Sequence, residues 1–265
     1  MKRIFKIIGL ISLTCFSFFI TEKTSLVVKN MDDIMISIKE NSDDYKKDSI
    51  NAKIDGDTII PGISGRKVNI NKSYKKMKEY GSYSDKLYVY DYIKPDISLK
   101  DNKDKIITNI NKKKRMVSLI FMVDNNTNIN DILGIINNYN IKATFFITSS
   151  YLENNNIDYL KKEGHNIGII GDSNIEWMNI VIKDKYCYSS DINLCTDNNL
   201  YIIKPYIVSS TTPLLDVKNN LENNLLLSFT INKNLKRELP NIIIYIKSKG
   251  YTITNLDNSI LENSL

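Results

Sequence analysis

One histidine, His165, stands among the 265 residues, and the chain carries a single tryptophan, three cysteines and five prolines. Each shortage closes a class of function. One imidazole excludes a histidine-rich zinc centre and leaves a cysteine nucleophile with little choice of base. Three thiols are too few for a disulfide scaffold. No GxGxxG phrase and no P-loop occurs in any turn, which removes the common nucleotide-binding readings. Charge is not strongly one-sided: 36 Lys and Arg face 30 Asp and Glu, a net of +6, and the only basic block is "NKKKR" at 111–115. No nucleic-acid motif accompanies that block, so nucleic acid is not an expected partner. The surplus fits a solvated basic face, or an anionic neighbour such as a membrane or an acidic wall polymer.

What is present is enough for one sizeable core. Hydrophobic residues make up 42% of the chain, leaving room for an anchor and a small accessory region. "MKRIFK" supplies a positive start, and "IIGLISLTCFSFFI" (7–20) is an uninterrupted apolar run followed by "TEKTS" rather than by a small-x-small cleavage site. Residues 1–22 are therefore expected to be a retained signal anchor, single-pass in the cell membrane, with the remaining chain extracytoplasmic. Cys15 reads as part of that anchor. In an oxidising compartment Cys187 and Cys195, eight positions apart, can close a short disulfide loop and contribute roughly 2–3 kcal/mol.

Residues 23–110 read as an accessory region. Val27, Met31, Ile34, Met35 and Ile38 recur at helical spacing, "NKSYKKMKEYG" is a second helix ended by Gly81, and "KLYVYDYIKP" alternates as a strand does. Tyr74, Tyr80, Tyr83, Tyr88, Tyr90 and Tyr92 offer rings that either stack on sugars or pack a half-buried surface. Residues 111–265 change pattern. "MVSLIFMV" (116–123), "ATFFIT" (143–148) and "NIGII" (166–170) are apolar runs separated by helix-length polar segments, and the alternation continues through "LYIIKPYIV", "NLLLSFTI", "ELPNIIIYIKSKG" and "YTITNL". Strands buried on both faces and alternating with helices imply parallel α/β units. The count of repeats predicts an incomplete barrel rather than a doubly wound sheet.

"NYNIKATFFITSSYLENN", followed by "LKKEGHNIGII", resembles the NodB-homology domain of polysaccharide deacetylases, the fourth carbohydrate esterase family, and "ELPNIIIYIKSKGYTITNL" is similar to that family's last helix and strand. The resemblance runs from about 116 to 258. It implies a distorted (β/α) barrel of the glycoside hydrolase/deacetylase type, behind an N-terminal anchor and a small α+β region. It also implies a chemistry: one aspartate and two histidines hold a divalent metal that activates water, a second aspartate serves as base and a late histidine as acid.

Position by position, the match lacks these groups. Met122 and Val123 fall on the aspartate pair, with Asp124 one place later; Ile170 and Asn174 fall on the two histidines; Phe229 falls on the acid. His165 matches a histidine that precedes the ligands, and is expected to be a packed, hydrogen-bonded residue at the start of a strand. No metal and no cofactor is expected. The resemblance then implies a membrane-anchored envelope protein that is a pseudoenzyme, binding glycan (peptidoglycan or another polysaccharide) or an envelope protein, with Asp124, Asn174, Trp177 and Tyr188 as candidate contacts. The alternative is an active envelope polysaccharide hydrolase or deacetylase with a rebuilt site, using Asp124 and Asp172 as paired carboxylates.

Overall fold

The computed structural model describes residues 11–17, 24 and 27–262. The anchor expected over 1–22 therefore lies mostly outside the described residues. Among them, no helix is long and apolar enough to cross a membrane. In chain order the strands are β1 (Lys53–Asp55), β2 (Thr58–Ile60), β3 (Gly65–Val68), β4 (Tyr90–Ile93) and β5 (Ile106–Ile107). They continue with β6 (Met116–Val123), β7 (Thr144–Ile147), β8 (Asn166–Ile170), β9 (Tyr186–Tyr188), β10 (Tyr201–Ile203), β11 (Tyr206–Ile207), β12 (Leu226–Thr230) and β13 (Thr252–Ile253).

The chain divides into two compact units, and the division differs from the one expected. The smaller comprises residues up to 48 and 65–93; the larger comprises 49–64 and 94–265. The expected boundary at 110/111 misses this because β2 and β5 are strands of only three and two residues that lack any periodic signal, yet both extend the main sheet.

In the smaller unit β3 pairs antiparallel with β4 beside the helices Asp33–Asn41 and Ile70–Tyr80. The second helix closes on Gly81, whose φ of 96° is the left-handed cap that glycine adopts without a Cβ penalty. Its core is Ile38, Val68, Met77 and Tyr88. Tyr88 stacks edge-on with Tyr45, Tyr83 and Tyr90 at 4.8–6.3 Å, so these rings are packing, while Tyr80 and Tyr92 are exposed.

The larger unit holds an eleven-stranded sheet in the order β1-β2-β5-β10-β9-β8-β7-β6-β12-β11, with β13 also on β6. All pairs are parallel except β1 with β2. It is a half-barrel: β1 and β11 end the order and do not pair with each other. Six of the eight residues of β6 are buried, as a central parallel strand covered on both faces requires. Gly168 in β8 lets the sheet accept Phe146 of β7, since a Cβ there would lie 2.5 Å from that ring. The helix Lys233–Ser248 buries Leu235, Leu239, Ile242, Ile243 and Ile246, one stripe at helical spacing.

Candidate functional site

Because β5 to β10 and β6 to β9 run parallel, every loop that follows a strand gathers at one end of the sheet, the mouth where barrels of this kind place their chemistry. Two surfaces meet there.

Over β6, β7 and β8 the mouth is polar. Asp124 follows β6 directly; its Oδ1 accepts from Thr127 Oγ1 at 2.5 Å and from Asn126 N at 3.1 Å, so the carboxylate folds its own turn. Asp172 follows β8. Its Oδ2 accepts from Ser149 Oγ at 2.7 Å and its Oδ1 from Asn174 N at 2.8 Å, which ties it to the loop after β7 and to the start of the helix Ile175–Ile182. Asn174 Nδ2 donates to the same Ser149 Oγ at 3.4 Å. Strands β6 and β8 flank β7, which places their ends about 10 Å apart. Both carboxylates are thus engaged as local caps.

Over β8, β9, β10 and β5 the mouth is a cleft of about 500 Å³. Its walls are Ile106, Ile170, Tyr188, Ile192, Ile202 and Ile203, with Gly171, Ser189, Ser190 and Lys204. Ile170 and Tyr188 are paired neighbours on β8 and β9, and Tyr188 lies edge-on to Phe146 at 6.5 Å. Cys187 of β9 is bonded to Cys195 of the helix Ile192–Asp197, Cα to Cα 5.8 Å, joining the elements that carry Tyr188 and Ile192. Trp177 does not line this cleft. It is 41% exposed on the helix Ile175–Ile182, beside exposed Ile180 and Val181.

The metal implied by the resemblance does not fit these residues. Val123 is buried, Ile170 packs against the core, and Phe229 is 2% exposed, its ring 5.9 Å from Phe121. Phe121 is 5.4 Å from Phe145, and Phe145 meets His165 edge-on at 5.5 Å. An aromatic row across β12, β6 and β7 therefore occupies what the resemblance assigns to the acid. Among the described residues no three His, Cys, Asp or Glu side chains gather to hold a metal ion.

His165 stands at the other end of its strand, just before β8, and is 3% exposed. Ala143 N donates to its Nδ1 at 3.1 Å, while Nε2 sits 3.6 Å from the Glu163 carboxylate, too far for a hydrogen bond, and has no partner. Burial first, and then the nearby Lys142 charge, hold the imidazole below its ordinary pKa.

That opposite end also carries a group of perturbed ionisable side chains. Tyr186 is fully buried and donates to Asp257 Oδ1 at 2.5 Å; Lys185 Nζ meets the same oxygen at 2.9 Å and Asn166 Nδ2 donates to Oδ2 at 3.0 Å. Burial raises the Asp257 carboxyl, but these three donors outweigh it and hold the pKa low. Asp184 takes Ile167 N and Lys185 N, and burial pushes it up. Lys114, just before β6, is 6% exposed and bonded to the carbonyls of Leu261 and Asn258; burial pushes its amine down to about 8. Neither this cluster nor Lys204, Ile202 and Ser190 of the cleft was marked by any spacing in the sequence.

A polysaccharide deacetylase family model matches residues 109–186. An uncharacterized protein of Bacillus subtilis, YlxY, is 34% identical over 150 residues, 55% of this chain and 47% of that protein. The chain thus spans about half the length of the curated relative it matches. Among solved structures, BA3943 of Bacillus anthracis, a CE4 family pseudoenzyme, superposes with a TM-score of 0.62 at 17% identity over 89% of this chain and 97% of that one. A BA3943 mutant with restored enzymatic activity superposes with a TM-score of 0.65 at 18% identity, over 88% of this chain and all of that one. At such identity these likenesses concern the fold alone. Residues 109–186 thus match the polysaccharide deacetylase family model, and the chain shares its fold with CE4 family structures.

Proposed function

We propose that this protein is a non-hydrolytic polysaccharide deacetylase-like protein of the cell envelope, tethered through residues 1–22, which engages glycan at the polar half of the mouth. Phe229 carries the reading. A buried phenylalanine stacked on Phe121 supplies neither a proton nor a metal bond at the position where the resemblance requires an acid. Ile170 at a ligand position points the same way, because an alkyl side chain has no donor pair for a metal. The polar half offers Ser149, Asp172 and Asn174 in one hydrogen-bonded group, with Asp124 bonded separately within its own turn, a lining suited to the hydroxyls of a sugar. Exposed Trp177 supplies a ring face at its edge.

The alternative, hydrolysis by Asp124 and Asp172 acting as a pair, is disfavoured by the capping bonds that both carboxylates make. The test is direct. The purified chain is expected to bind zinc or cobalt no better than an isolated surface carboxylate does, and to release no acetate from acetylated chitin oligomers or peptidoglycan. Ile170→His with Asn174→His should raise metal affinity without activity, since the acid is still missing. Stoichiometric metal binding or metal-dependent acetate release by the unaltered chain overturns the reading.

A further inference from the structure

We propose that the cleft at the ends of β8, β9, β10 and β5 is a binding site for an aliphatic anion, an alkyl body bearing one carboxylate. The proposal does not rest on the glycan reading, which concerns the other half of the mouth.

The walls decide the class. Ile106, Ile170, Ile192 and Ile202 present branched alkyl surface, and Tyr188 closes one side with its ring. A volume of about 500 Å³ lies within the roughly 300–1,000 Å³ of ordinary small-molecule sites. A sugar placed here would bury hydroxyls against surface that offers few partners, since Ser189 Oγ already accepts from Asp191 N at 3.1 Å. Each unpartnered hydroxyl would cost about 1–3 kcal/mol. An alkyl chain carries no such penalty and gains from leaving water.

Lys204 decides the head group. It is the only charged residue lining the cleft, it is exposed, and among the described residues no carboxylate pairs with it. A lone ammonium beside an apolar cleft selects for a negative group on an otherwise apolar ligand. The Cys187–Cys195 bond fixes the elements bearing Tyr188 and Ile192, so the two walls keep their separation without ligand. Such preorganisation favours binding by reducing what must be ordered.

The test is calorimetric titration of the full chain with octanoate and, separately, octanol. Octanoate is expected to bind saturably at one site, and octanol about threefold to fivefold more weakly, the size of one exposed charge contact. Lys204→Glu should erase that preference. Ser190→Trp, at an exposed position whose new ring enters the cleft, should weaken both ligands by about tenfold or more with an unchanged unfolding midpoint. Absence of saturable octanoate binding overturns the proposal. So does octanoate affinity that Ser190→Trp leaves intact, which would place the ligand elsewhere, and so does octanol binding as tightly as octanoate. Failure of chitin oligomers to bind bears only on the glycan reading.

Discussion

The two ends of the sheet handle polar groups in opposite ways. At the mouth, Asp124 and Asp172 are partly or fully in solvent and cap their own loops, and the deeper positions are Ile170, Val123 and Phe229. At the opposite end Tyr186, Asp257, Lys185, Asp184, Asn166 and Lys114 form bonds across the core. The end of a barrel that ordinarily carries reactive groups is here built from packing and turn chemistry, and the end that ordinarily stabilises carries the perturbed ones. At this far end the shifted groups, Tyr186, Asp257, Asp184 and Lys114, mark a joint in the fold.

That contrast can be broken by substitution. The largest effect is expected from Asp257→Ala, which strands the buried Tyr186 hydroxyl and the Asn166 amide and removes the anchor of Lys185; about 3 kcal/mol should be lost in urea unfolding. A loss below about 1 kcal/mol would mean that the cluster is ornamental. Next comes Lys114. Its amine falls from the ordinary 10.5 to about 8 on folding, so the unfolded chain holds more protons between those values, and stability must rise with pH from about 8 upward. A gain of roughly 2 kcal/mol between pH 8 and 10 is expected, before raised tyrosines such as Tyr186 reverse the trend, and Lys114→Met should flatten it. A flat profile in the unaltered chain refutes the burial cost. The smallest effect belongs to the mouth. Asp172→Ala should cost about 1 kcal/mol, because the released Ser149 hydroxyl and Asn174 amide turn to water; a loss matching that of Asp257→Ala would erase the difference between the ends.

How much of this was legible depends on the range of the contacts. β6 and β8 were readable to the residue because a strand buried on both faces is a continuous apolar run. The resemblance, which compares residue types at set positions, assigns Ile170 and Asn174 to the ligand positions and Phe229 to the acid. β2 and β5 were not, being too short to show a period, so the edge of the larger unit was misplaced. The cluster at the far end joins Asn166 to Asp257, 91 residues apart, and nothing local signals it. The cleft likewise needs Ile106 brought beside Ile202 by pairing of β5 with β10. Half-buried tyrosines were read with two outcomes open, and in the smaller unit Tyr83, Tyr88 and Tyr90 are packing.

The interleaving of the two units sets where the chain can be shortened. Residues 49–64 and 94–110 supply β1, β2 and β5 to the main sheet, and Glu262 Oε1 accepts from both Gly62 N and Leu99 N, stitching those segments to the far end of the sequence. A chain begun at 111, the boundary expected from the sequence pattern, would strip β5 from β10 and leave the backbone of β10 unpaired along one side. An uncovered parallel strand is a template for self-association. A fragment that keeps the main sheet therefore begins no later than about residue 49; because the smaller unit is built from residues up to 48 as well as 65–93, that start removes the helix Asp33–Asn41 and leaves 65–93 inserted between β2 and β5.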